Sequence, residues 1–174
     1  MKKGFLFLAT CFAFVFVVIP HSSHAYFTKA QSAELLKDGK GIIYSVTYDF
    51  GMEKYDLYMP IIPVRKEASS TAQARTMTYA IMEDGKESAF GESLGIVVSN
   101  AEIRDGQYFI PKGTGKRLTL ITLLKLPQTL VYEPHNLALQ VTNLPFTIVA
   151  GDTKYKNQLN PFELDDYLTP EVKI

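Results

Sequence analysis

His135 is the one histidine outside the first 25 residues, and so the one imidazole there that can move a proton near neutral pH. It sits in the turn-like run Tyr132-Glu133-Pro134-His135-Asn136, where Glu133, two residues away, is placed to orient its ring. Hydrolysis would also need a nucleophile, and no Gly-x-Ser-x-Gly elbow marks one. The plainer reading of His135 is a turn histidine at the surface. Zinc is disfavoured, because its structural sites draw on several Cys or His. Calcium needs only oxygens, and Glu163, Asp165 and Asp166, with Asp152 before them, are the best carboxylate cluster. No EF-hand loop surrounds them, so a solvated acidic tail is the default. Tyrosines can stack on sugars, but Tyr44, Tyr48 and Tyr55 fall near strand periodicity, where aromatics ordinarily bury area. No residue is marked as catalytic, and no cofactor is called for.

The amino terminus carries a clearer message. Lys2 and Lys3 precede an unbroken, mostly large apolar run from Phe5 to Ile19, and Ser23-His24-Ala25 offers small residues at the positions a signal peptidase reads. Cleavage between Ala25 and Tyr26 would remove Cys11, the only cysteine. A membrane span needs about 20 apolar residues, and this run ends sooner, at Pro20 and a polar stretch. A short signal anchor is the main competitor. Leu8-Ala9-Thr10-Cys11 is a poor lipoprotein box, since apolar residues continue after the cysteine. The expected destination is the periplasm, the cell surface or the medium.

The remaining chain, roughly 150 residues, suits one domain and can bury a core without disulfides. Losing Lys2 and Lys3 from a chain of 18 basic and 18 acidic residues leaves a small net negative charge. Nucleic acid is disfavoured as a partner, because it requires clustered cations. Lys112, Lys116 and Arg117, with two glycines among them, read as a solvated loop.

A capping box from Thr28 to Gln31, good helix formers, and a stop at Gly39 predict one short helix after Tyr26-Phe27. From Gly41 the period becomes two. Ile42 to Phe50 predicts a half-buried strand that stops at Gly51, and Tyr55 to Ile62 a second strand. Pro60 and Pro63 place that second strand at a sheet edge or on a bulge. Lys66 to Ala74 reads as a loop, and strands follow at Met77–Ile81, Leu94–Ser99 and Tyr108–Ile110, with turns at Asp84-Gly85 and Asp105-Gly106. Arg117–Leu126 is apolar at both phases, which predicts a central strand covered on both faces. Leu130–Tyr132, Leu137–Val141 and Pro145–Val149 complete about eight strands, the pattern of an antiparallel β-sandwich. The expected organisation is a signal peptide over residues 1–25, a helix and sandwich over 26–150, and a tail over 151–174 docked on it by Phe162, Leu164, Tyr167 and Leu168.

Tyr108-Phe109-Ile110-Pro111-Lys112-Gly113, followed by Lys116-Arg117-Leu118-Thr119-Leu120-Ile121, resembles a strand–turn–strand unit of bacterial immunoglobulin-like domains. The chain as a whole, with Phe50-Gly51, Tyr58-Met59-Pro60-Ile61 and Asn143-Leu144-Pro145-Phe146, is similar to exported bacterial proteins of unknown function. The resemblance implies export and a sandwich, and supplies no activity. It lacks the paired cysteines and core Trp of antibody-type domains.

The leading expectation is an exported, non-enzymatic protein that works by protein–protein contact or self-assembly in the envelope or at the surface. Its partner would add to the edge strand through Tyr55, Tyr58 and Pro60. A carbohydrate or small-ligand module using exposed tyrosines is the alternative, and a carboxylate-based hydrolase the next.

Overall fold

Ile42, Tyr44, Val46, Tyr48 and Phe50 are fully buried in the computed structural model, while the residues between them turn to the opposite face. Residues 24–66, 76–127 and 134–174 are described. The expected leader up to Ser23, nearly all of the Lys66–Ala74 loop and the Leu130–Tyr132 strand lie outside them.

The first half of the chain forms β1 (His24–Leu35), β2 (Gly41–Met52), β3 (Asp56–Pro60), β4 (Pro63–Arg65), β5 (Met77–Glu83), β6 (Lys86–Ser88) and β7 (Glu92–Ser99). The second half forms β8 (Glu102–Arg104), β9 (Gln107–Ile110), β10 (Thr114–Lys125), β11 (Asn136–Asn143), β12 (Pro145–Ala150) and β13 (Thr153–Gln158). A short helix α1 (Pro161–Leu164), a 3-10 turn (Asp165–Tyr167) and β14 (Val172–Lys173) end it. Sheet A has the order β1-β2-β10-β7, sheet B the order β13-β12-β3-β9-β8, and sheet C the order β14-β11-β5-β4 with β6 also on β5. All pairings are antiparallel except β4 with β5. The protein is mainly β, built from antiparallel sheets.

The inner face of sheet A packs on both other sheets in one core. The Phe50 ring meets Phe146 of sheet B edge-on at 5.0 Å, and Tyr48 lies 5.4 Å from Tyr167 of the 3-10 turn. Tyr108 of β9 donates its hydroxyl to the Val97 carbonyl of β7 at 2.9 Å, joining sheets B and A. Burial raises the hydroxyl pKa of Tyr44 and Tyr48, so both stay neutral. Each fully buried aliphatic such as Ile42 or Leu118 contributes about 1.5–3 kcal/mol.

Five features of the sequence reading need correction. Residues 28–38 hold no helix: Thr28 to Leu35 lie in β1, which pairs along its length with β2. A ten-residue helix is marginal by itself, and a ladder against a long buried strand outweighs local preference. Gly39, with φ 67, serves the β1–β2 turn, where Leu36 donates its N–H to the Gly41 carbonyl at 2.8 Å. β2 continues through Gly51 to Met52, because a Cβ on Gly51 would lie 2.4 Å from the Thr114 carbonyl and glycine alone lets the strands close there.

β3 is central, between β12 and β9, not an edge strand. Pro60 is tolerated because β12 pairs only with Asp56 to Tyr58, leaving the strand single-sided at Pro60. β10 is central in its sheet but covered on one face only, for Leu123 is 44% exposed. The residues after Gly151 pack through Leu164 and Tyr167, but Phe162 is 85% exposed and Leu168 is exposed as well; β13 completes sheet B and β14 joins sheet C. The turns at Asp84-Gly85 and Asp105-Gly106 are two-residue hairpins with positive φ at both positions.

Candidate functional site

Sheet A presents its outer face in graded rows across β2, β10 and β7. At one end Asp49 faces Arg117, whose Nε lies 3.0 Å from the carboxylate and whose guanidinium is held more firmly protonated by it. The next row pairs the hydroxyls of Thr47 and Thr119 at 3.0 Å beside Val98. Then come Ser45, Ile121 and Ile96, next Ile43, Leu123 and Leu94, and at the far end Lys125 beside Glu92. Leu94 is 73% exposed and Ile96 52%, with Val98, Ile43 and Leu123 also open. These aliphatics adjoin one another through the strand register, so they form a continuous patch and not scattered exceptions. β7 ends the sheet, and its far backbone edge has no strand partner among the described residues.

Gly95 explains how so apolar a strand lies flat. A Cβ there would come within 3.0 Å of both Pro63 and Tyr79 on the buried side. The strand therefore hugs the core through Gly95 and throws its bulk outward through Leu94 and Ile96.

The outer face of sheet B is of another kind. Tyr58 and Phe109 are register partners whose rings tilt together at 5.2 Å. Arg104 lies 3.8 Å above the Phe109 ring and bonds Glu102 at 2.7 Å, while the Lys154 ammonium stands 5.2 Å from the Tyr58 ring. A cleft of about 200 Å³ opens beside Tyr58, floored by Pro60 and Gln107 and walled by Thr147, Lys154 and Lys156. Of the residues proposed for an edge-strand contact, the fold thus brings Tyr58 and Pro60 together in this cleft. Tyr55 lies before β3, is exposed, and does not line it.

His135 is half-buried in β5's surroundings. Its Nδ1 bonds the Glu83 carboxylate, and its ring lies 4.7 Å from Phe90. Ser88 donates its hydroxyl to the other Glu83 oxygen at 2.6 Å, and that bond, with the His135 contact behind it, holds Glu83 below the usual carboxylate range. The serine proton is thus directed at the carboxylate, so Ser88, Glu83 and His135 do not form a nucleophile–base–orienter relay. Glu133, the expected partner of His135, lies outside the described residues; Glu83, far away in sequence, takes the place.

The acidic tail is likewise put to local use. The Glu163 carboxylate accepts from the Asn160 N–H at 2.7 Å, completing a capping box on α1. Asp165 caps the end of that helix, and Asp166 follows in the 3-10 turn. Among the described residues no three Asp, Glu, His or Cys are grouped to hold a metal ion, so the calcium candidates Glu163, Asp165 and Asp166 do not converge. Ala25 and Tyr26, the expected cleavage pair, stand near the start of β1, opposite Gly51 and Phe50.

Sequence reasoning missed both faces for different reasons. The signal for sheet A is present in Leu94-Gly95-Ile96-Val97-Val98 and in the two-phase Arg117–Leu126 run, but double coverage gives a strand the same pattern. The cleft depends on Thr153–Gln158, a polar stretch with no apolar period to announce a strand. Comparison with protein-family models, curated proteins and solved structures finds no match.

Proposed function

We propose that this is an exported, non-enzymatic β protein that acts by binding another polypeptide through the outer face of sheet A. The observation that carries the reading is the aliphatic patch of Ile43, Leu94, Ile96, Val98 and Leu123, bordered by the edge of β7 that has no strand partner among the described residues. A partner strand laid along that edge would gain backbone hydrogen bonds and bury the patch in the same step. The leader-like amino terminus supports export to the envelope, surface or medium. The face-to-face packing of antiparallel layers on a core without disulfides supports an immunoglobulin-like sandwich as part of the same proposal.

Placing a photo-crosslinking amino acid at position 96 in producing cells tests the contact. We expect specific protein adducts from position 96 and none from position 117, at the polar end of the same outer face. Light scattering then distinguishes self-assembly from a foreign partner. A folded protein that stays monomeric and gives no adduct at position 96 would overturn the proposal.

A further inference from the structure

We propose that the cleft on the outer face of sheet B binds an acidic carbohydrate, a sugar ring that bears a carboxylate. The site is separate from the contact face on sheet A and does not depend on it.

The register lays out one row across the sheet: Lys156 of β13, Thr147 of β12, Tyr58 of β3 and Phe109 of β9. The next row places Lys154 opposite Val149, and Val149 opposite Asp56. Lys154 and Lys156 therefore lie on one side of one edge strand, and neither has an ion-pair partner among the described residues. Asp152 lies in the turn two residues before Lys154, and Asp56, two strands away from β13, accepts the Lys112 backbone N–H at 2.7 Å. The Glu102 carboxylate is engaged with Arg104. The cleft thus offers two lysines that no ion pair holds among the described residues.

Its walls select the rest of the ligand. The half-buried Tyr58 ring, beside the buried Pro60, supplies apolar surface for the C–H face of a sugar ring. Gln107 and Asn157 carry amides, and Thr147 a hydroxyl, each able to donate and accept as ring hydroxyls require. A volume of about 200 Å³ lies below the roughly 300–1,000 Å³ of sites for drug-sized ligands, which fits a single ring or the end of a short chain. Nucleic acid would need a longer track of cations to follow its phosphates, and two lysines beside one half-buried tyrosine do not make one. Lys154 now resting near the Tyr58 ring holds the place a carboxylated ring would take, with its ammonium free to swing onto the carboxylate.

The experiment is a titration of the isotope-labelled protein, followed by amide NMR, with tri-galacturonate, with the neutral trisaccharide of galactose and with inorganic phosphate. We expect saturable shifts centred on Thr147, Lys154 and Lys156 with tri-galacturonate, at least about tenfold tighter than with the neutral sugar and weakening with salt. The double variant Lys154→Gln, Lys156→Gln should lose at least about tenfold in affinity while keeping its melting temperature. Four results would overturn the proposal: no saturable binding, equal binding of the neutral sugar, equal binding of phosphate, or acidic-sugar binding unchanged in the double variant. The equal-phosphate result would identify a general anion site, and none of these results bears on crosslinking at position 96.

Discussion

The outer faces of sheets A and B are made from the same antiparallel ladder, yet sheet B covers its outward rings, Tyr58 and Phe109, and sheet A leaves its outward aliphatics open. Phe109, which points outward, is 7% exposed, whereas Ile96, which also points outward, is 52% exposed. The difference lies in the neighbours. On sheet B the short edge strands β8 and β13 carry Arg104 and Lys154, whose long stems reach inward over the rings of Phe109 and Tyr58. On sheet A the outward rows around Ile96 are branched aliphatics, and the long side chains of Arg117 at one end and of Lys125 and Glu92 at the other leave Ile96 and Leu94 open. A face that shields its aromatics leaves a polar cleft, and a face that cannot do so leaves its aliphatics open to solvent.

The largest effect should separate the two sides of one strand. Leu120→Ala, on the buried side of β10, is expected to cost about 2–5 kcal/mol. Leu123→Ala, three residues on, should stay within about 0.5 kcal/mol. Denaturant midpoints check this, and a comparable loss for Leu123 would mean that its face is covered within the monomer.

A smaller but sharper contrast concerns the outward residues themselves. Phe109→Ala should cost about 2–4 kcal/mol, because ring and cover are lost together. Ile96→Ala should cost less than about 1 kcal/mol in the same unfolding assay. Equal losses would dissolve the distinction between the faces.

The smallest effect is a pH dependence away from both. Glu83 is held below its ordinary value of 4.5, first by Ser88 and then by His135. Its stabilisation is therefore complete above that value and lost as the pH falls through the lower folded one. Melting temperatures across acid pH should show a shallower decline in Glu83→Gln than in the unaltered protein. Parallel curves would remove Glu83 from the account.

Much of the ladder was legible because a strand's period is local. Ile42 to Phe50, Leu137 to Val141 and the Asp-Gly hairpins each announce themselves through side chains two apart or through two turn residues. Residues 28–38 misled because their caps and helix formers are equally local, and nothing within them tells of β2 waiting to pair. His135 shows the same limit at a site: Glu133 is adjacent in sequence, but the carboxylate that meets it, Glu83, arrives from β5.

Alternation and turn chemistry, acting over a few bonds, were enough to determine that this chain makes antiparallel sheets and which phase of β2 is buried. Which sheet edge stays open, whether β10 is covered once or twice, and that Tyr58 meets Lys154 were decided only by tertiary packing. Those outcomes turn on which distant strands lie side by side, and a pattern with period two reads the same whether or not anything covers its second face.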